Sequence, residues 1–236
     1  MRLYESFAEL LWPTRCVGCE LPGALLCERC RAKLPWIEQR FACPCCGAPF
    51  GRLTCTQCAR DWLTRCCVCA LSFTDVAAHM VTYLKDSHEL RLAPVVAAAM
   101  ACALDEASSW DAMDGKPRYD AESTDALVFV PATSEAYARR GFDHMQLVAR
   151  ELAPLMGLPL ADVLVRSKGQ DQRVLGRVAR RRNLEGTVTV VGDVSGLGIL
   201  LADDVVTTGS TLSACTEALL ERGAESVTAC TLARVW

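Results

Sequence analysis

The stretch LLADDVVTTGSTL, residues 200–212, sets an apolar run against two acids, Asp203 and Asp204, and then a hydroxyl-rich turn. The apolar residues 199–202 predict a buried strand, and residues 211–222 predict a helix stopped by Gly223. The link between them is therefore a helix N-terminus with free N–H groups, a natural cradle for phosphate. Thr207, Thr208, Ser210 and Thr211 add hydroxyl donors, and Gly209 lets the backbone approach closely. The loop holds no lysine and no GxxxxGK[ST] pattern, which excludes a nucleotide-triphosphatase P-loop. Two carboxylates ahead of a phosphate cradle suit vicinal hydroxyls, so the ligand implied is a ribose 5-phosphate group.

Outward from this stretch the pattern alternates. Strands are predicted over 80–84, 126–130, 188–191 and 227–232, and helices over 89–104, 144–156 and a basic 173–184. Residues 105–124 are polar, with Gly115 and Pro117, and read as an exposed loop. Alternation of this kind predicts an α/β domain, a mostly parallel sheet with flanking helices, which takes its ligand beyond the carboxyl ends of the strands.

The chain has 236 residues, 51% hydrophobic and 22% charged, with a net charge of −3. That composition is globular and large enough for a real core. The longest apolar run, 92–104, includes a proline and is too short to span a bilayer. Residues 1–12 carry Glu5 and Glu9 among apolar residues. They read as an amphipathic helix rather than a secretory signal, which implies a cytoplasmic protein. Residues 1–70 carry nine Lys/Arg and six Asp/Glu, so the front end is slightly basic.

Of fifteen cysteines, twelve fall between Cys16 and Cys69. They form the pairs Cys16/Cys19, Cys27/Cys30, Cys43/Cys46 and Cys55/Cys58, each with two residues between. Such a pair makes a knuckle that points two thiolates at one ion, and zinc takes four in a tetrahedron. Seven residues separate the first two knuckles and eight the last two, so one motif occurs twice in tandem. The expectation is two structural zinc ribbons, paired in sequence order, with interleaved pairing the alternative. Iron–sulfur ligation uses the same thiolates. Cys66, Cys67 and Cys69 supply another knuckle or line the start of the next domain, and Cys45 has no assigned role. Cys102, Cys215 and Cys230 lie in apolar patterns and read as core. The expected division is residues 1–72, helix and double zinc ribbon, and residues 73–236.

LLADDVVTTGSTL resembles the phosphoribosyl pyrophosphate (PRPP) signature of type I phosphoribosyltransferases. The zinc-ribbon front end narrows the resemblance to the ComF/GntX-like, competence protein F, family. LCERCRAKLPW, YLK at Lys85, RRGFDH at 139–144, and Gln172 with Arg181 and Asn183 extend it over nearly the whole chain. The resemblance implies that Asp203 and Asp204 hold the ribose hydroxyls, with Val205, Val206, Thr207, Thr208, Gly209, Ser210 and Thr211 forming the PRPP loop. It places Lys85 near the pyrophosphate, with Arg139 and Arg140 on a loop that meets phosphate charge. It implies Mg2+ with PRPP, transfer to a nitrogen acceptor, an acceptor pocket built by residues 105–124 and 131–143, and pairing into a homodimer. The alternative it carries is a non-catalytic sensor, or a single-stranded DNA-binding protein of competence and DNA uptake.

Two positions depart from the family pattern. Phe129-Val130-Pro131 stands where PVP is usual, and Asp143-His144 where Asn-Gln is usual. Asp143 is expected to repel phosphate. His144 is expected to cap a helix or lie on the surface, and His79 and His88 have no motif around them. The basic run Arg177, Arg180, Arg181, Arg182 reads as a solvated helix face, and secondarily as a phosphate or nucleic-acid surface.

Overall fold

The computed structural model describes residues 13–58, 62–166 and 188–236. The expected helices at 1–12 and 173–184, with Gln172, Arg177, Arg180, Arg181, Arg182 and Asn183, lie outside the described residues.

Five parallel strands form the main sheet. They are β1 (Cys66–Ser72), β2 (Ala126–Phe129), β3 (Leu160–Ala161), β6 (Gly198–Val206) and β7 (Ser226–Arg234), in the order β1-β7-β6-β2-β3. A separate antiparallel pair joins β4 (Leu164–Arg166) to β5 (Val188–Val190). The helices are the short α1 (Glu28–Arg31), α2 (Asp75–Lys85), α3 (Ala93–Ala107), α4 (Ser134–Arg140), α5 (His144–Met156) and α6 (Ser210–Glu221). The expected mostly parallel sheet with flanking helices is thus present.

The sheet is buried on both faces, and the period-2 pleat sorts its side chains. Leu127, Phe129, Leu200, Ala202, Cys230 and Leu232 face a core shared with α2, α3 and α5. Ala126, Val128, Ile199, Leu201, Val227 and Ala229 face the opposite core, shared with α6 and with Ile37 and Ala42 of the cysteine-rich region.

Five expectations need correction. Cys102, read as core, is exposed, whereas Cys215 and Cys230 are buried. Residues 80–84 are not a strand but the interior of α2, where Met80, Val81 and Leu84 are buried. Their spacing of one, three and four fits a helical face, and the local β-propensity of Val81, Thr82 and Tyr83 is overridden by packing. Strand β6 does not end at residue 202. It pairs with β7 through Val206, so both acids sit inside the strand. A strand was also missed: Cys66–Ser72 pairs in parallel with β7 from Cys66↔Thr228 to Ser72↔Arg234. Lastly, residues 105–124 are not wholly an exposed loop, since α3 runs to Ala107 and Arg118 and Tyr119 are buried. Strand β1 bonds in both directions: it pairs with β7 in the sheet, while Ile37 N–H donates to the Ala70 carbonyl and Ser72 N–H to the Pro35 carbonyl.

No helix among the described residues is long and apolar enough to cross a membrane.

Candidate functional site

The eight knuckle cysteines gather in sequence order. Cys16, Cys19, Cys27 and Cys30 form one group, and Cys43, Cys46, Cys55 and Cys58 the other, with all sulfurs of a group within 4.8 Å. Interleaved pairing is thereby excluded. The Sγ–Sγ separations Cys19–Cys27, Cys43–Cys58 and Cys46–Cys55 are 3.7, 3.6 and 3.6 Å. A tetrahedron with metal–sulfur bonds of about 2.3 Å has edges of about 3.8 Å, so each group fits a zinc ion. The hydrogen bond from Cys46, followed by backbone N–H groups of Cys46 and Cys45, pulls the Cys43 thiol down to about 4 against its burial. Cys66, Cys67 and Cys69 belong to neither group. They lie on β1 as buried strand residues, and burial pushes Cys66 up to about 12.

Each group backs a different part of the molecule. The first packs on α2: Val17 joins its core, a Cβ at Gly18 would sit 3.0 Å from Val76, and His79 Nδ1 lies 3.2 Å from the Val17 carbonyl oxygen. The second packs on β1, where Cys67 N–H donates to the Pro44 carbonyl at 3.2 Å.

At the carboxyl ends of β2 and β6 a cleft of about 460 Å³ opens. Its polar walls are Lys85, Arg140, His144, Arg166, Asp203 and Asp204, with Thr207 and Thr211 from the hydroxyl loop. Because neighbouring strand residues face opposite sides, Asp204 turns toward α2 and α5. There Lys85 Nζ, at the end of α2, pairs with Asp204 Oδ2. His144 Nε2, at the start of α5, lies 2.7 Å from the same oxygen. Asp204 Oδ1 accepts from the Val205 N–H, and Asp203 Oδ1 from the Asp204 N–H.

Two adjacent buried carboxyls cannot ionise alike. Burial, then the Asp204 charge, pushes Asp203 well above the ordinary carboxylate range. Burial opposes the Asp204 charge too, but the His144 hydrogen bond and the Lys85 charge bring it down to about 2. The negative charge is thus favoured on Asp204 and disfavoured on Asp203.

Behind these acids the hydroxyl loop leads into α6. Gly209 is its N-cap, with φ +78°. A Cβ there would meet the Trp62 ring, 2.9 Å from Cζ2 and Cζ3. Thr208 Oγ1 and Ser210 Oγ lie 2.8 Å apart, and Thr207 and Thr208 are exposed. The α6 N–H groups, the hydroxyls and the cations of the cleft together suit a phosphorylated ligand.

The expected arginine pair divides. Arg140 lines the cleft and is half-buried, with Nη1 3.4 Å from His144 Nδ1. Arg139 is exposed outside it, 3.9 Å from Asp86. His88 holds this corner: its Nε2 lies 3.2 Å from the Arg140 carbonyl oxygen and its ring packs edge-on to Phe142. Asp143 does not face the cleft as a repelling charge. Its Oδ1 caps α5 through the N–H groups of Met145 and Gln146, and its Oδ2 accepts from Ala132 N–H at 2.6 Å. His144, expected as a cap or surface group, is instead buried in the site. Arg166 and Arg234 carry no motif and were not anticipated. Arg166 lines the cleft with its Nε buried and without a hydrogen-bond partner among the described residues.

A family model described as a phosphoribosyl transferase domain matches residues 136–235, which include α5, β6, the hydroxyl loop and β7. The DNA utilization protein YhgH of Salmonella typhi is 30% identical over 228 residues, covering 91% of this chain and 94% of that protein. The chain belongs to the ComF/GntX-like family. The YhgH protein of Escherichia coli strain K12 is a further relative of this ComF/GntX-like chain, 25% identical over 226 residues with 94% of its length covered. A ribose-phosphate pyrophosphokinase of Brucella melitensis is 44% identical over 72 residues, 28% of the ComF/GntX-like chain and 23% of the pyrophosphokinase.

Proposed function

We propose that this protein binds PRPP, or a related ribose 5-phosphate, together with Mg2+. The convergence of Lys85 and His144 on Asp204, immediately ahead of a hydroxyl loop at a helix N-terminus, carries this reading. Asp203 and Asp204 hold the ribose hydroxyls. The α6 N-terminus with Thr207, Thr208, Ser210 and Thr211 takes the 5-phosphate. Lys85, Arg140 and Arg166 face the pyrophosphate. Mg2+, when bound, neutralises pyrophosphate charge while keeping few protein ligands. In this reading the two four-cysteine groups hold structural zinc, and thiolate sites of this kind suit a reducing, cytoplasmic setting.

Transfer from this site requires the C1–oxygen bond to break, pyrophosphate to leave with the bonding pair, and an acceptor nitrogen to bond C1 and lose a proton. The acceptor is the open element of the proposal, and a pyrophosphate-release screen over bases and amines identifies it. Binding is tested first, by calorimetry with PRPP and Mg2+ on the wild type and Asp204→Asn. The expected result is heat of binding for the wild type and its loss in the variant. Absence of binding by the wild type discards the reading.

A second reading, single-stranded DNA binding, is favoured by one surface. The Arg40 guanidinium lies 4.4 Å from the Phe41 ring centre and 5.8 Å from that of Trp110, with Arg52 5.9 Å from Trp110. Phe50, 75% exposed, is on the same cysteine-rich segment. Stacking rings interleaved with cations bind single strands without sequence preference. The relatives' name, DNA utilization protein, agrees with this reading. Filter binding over a salt series tests it: affinity falling with salt supports it, and no binding at low salt removes it.

A further inference from the structure

Arg234 ends β7 and is 3% exposed, outside the ligand cleft. Its guanidinium is committed to backbone carbonyls. Nε donates to Cys46 O at 3.0 Å, and Nη1 donates to Thr207 O at 2.7 Å, to Val206 O at 3.3 Å and to Val235 O. Cys46 belongs to the second four-cysteine group, whereas Val206 and Thr207 open the hydroxyl loop. One buried cation thus joins a metal knuckle to the loop. Several carbonyls turned toward one point need several donors in a fixed fork, which a guanidinium supplies and an ammonium does not.

Trp62 makes a second link. It packs against the cluster of Cys43, Cys46 and Ala48, and its ring stands over Gly209. Backbone N–H groups hold an anion only while their carbonyls and turn geometry are fixed. In this loop both are fixed from the side of the second knuckle pair. The first four-cysteine group packs on α2 instead.

We propose that the second four-cysteine group buttresses the hydroxyl loop, and that Arg234 and Trp62 are the positioning residues that transmit its order to ligand binding. Metal holds the Cys43–Cys46 knuckle rigid, so the Cys46 carbonyl presents a fixed anchor to Arg234. The ligand part of the proposal rests on the ribose-phosphate reading above, and the loop-order part does not.

The test uses the full zinc-loaded chain. Amide hydrogen exchange of residues 203–212 is followed in the wild type, Arg234→Met, Arg234→Lys and Trp62→Phe, beside zinc content and calorimetry with ribose 5-phosphate. Arg234→Met is expected to keep both zinc ions and leave exchange in α3 unchanged. Loop exchange is expected to rise about tenfold and ribose 5-phosphate binding to weaken about tenfold, with Arg234→Lys in between. Loop exchange in Arg234→Met equal to that of the wild type overturns the proposal. If Arg234→Met does not fold, Trp62→Phe and the Cys58→Ser variant, which removes one thiolate of the second group, give the same readout. In that case an unchanged loop in both variants overturns it. Failure of the ribose-phosphate reading is distinguishable from failure of the buttress: if the wild type binds no ribose 5-phosphate, raised loop exchange in Arg234→Met still sustains the buttress while the lack of binding sinks the ribose-phosphate reading.

Discussion

His144 Nε2 lies 2.7 Å from Asp204 Oδ2, and its Nδ1 lies 3.4 Å from Arg140 Nη1. A carboxylate only accepts, so Nε2 is the ring nitrogen that donates to Asp204, and Nδ1 faces the guanidinium. The histidine is then a relay that fixes the acid and the arginine together. Lys85 completes the set on the same Asp204 oxygen. Three elements, α2, α5 and β6, are locked at one carboxylate.

His144→Gln keeps a donor toward Asp204, and His144→Leu removes both contacts. We expect PRPP affinity to fall about tenfold in His144→Leu, the effect of losing a charge-assisted hydrogen bond, and by less in His144→Gln. Calorimetry on both variants checks this, and equal affinities for Leu and Gln would contradict the relay.

Asp203 and Asp204 give opposite pH dependences. Raised well above 3.8, Asp203 keeps its proton in the native state where the unfolded chain has lost it. Its contribution is complete below about pH 4 and drains as pH rises through the native value. Asp204, at about 2, contributes above the unfolded value and loses that contribution as pH falls toward 2. Asp203→Asn removes the first dependence. As pH rises from about 4, its melting temperature should fall less than that of the wild type. Parallel melting profiles would refute the assignment.

Asp143 caps α5 and clasps Ala132. Asp143→Ala should cost about 1–2 kcal/mol, the range for a lost helix cap, with the clasp to Ala132 adding to it. Urea unfolding measures this. A cost near zero would return Asp143 to the role of a cleft charge.

Sequential pairing of the knuckles predicts two bound zinc ions per chain, one of them lost in Cys58→Ser and the other in Cys27→Ser. Cys45→Ser and Cys66→Ser should keep both, because neither sulfur belongs to a four-cysteine group. Native mass spectrometry counts the ions. Loss of both in a single variant would mean that the groups are not independent.

Much of this was legible in the sequence because it is local. The spacing within each C-x2-C pair fixes a knuckle, and tandem intervals of seven and eight residues make the sequential grouping compact. The acid–hydroxyl–glycine order of residues 203–211 lies along one strand, turn and helix, so one periodicity change exposes it. Where local signals competed with packing they failed. Residues 80–84 carry β-propensity but lie on the buried face of α2, and β6 runs four residues past its apolar run because β7 supplies partners to Val206.

By itself the sequence determined which cysteines gather into two groups of four, that the sheet is parallel, and where the hydroxyl loop lies, since each depends on spacing within a few tens of residues. Only the tertiary structure decided that His144 meets Asp204 across 60 positions and that Arg234 reaches Cys46 across 188. Those contacts exist because parallel strands deliver their carboxyl ends to one edge of the sheet, and no periodicity along the chain records which ends become neighbours.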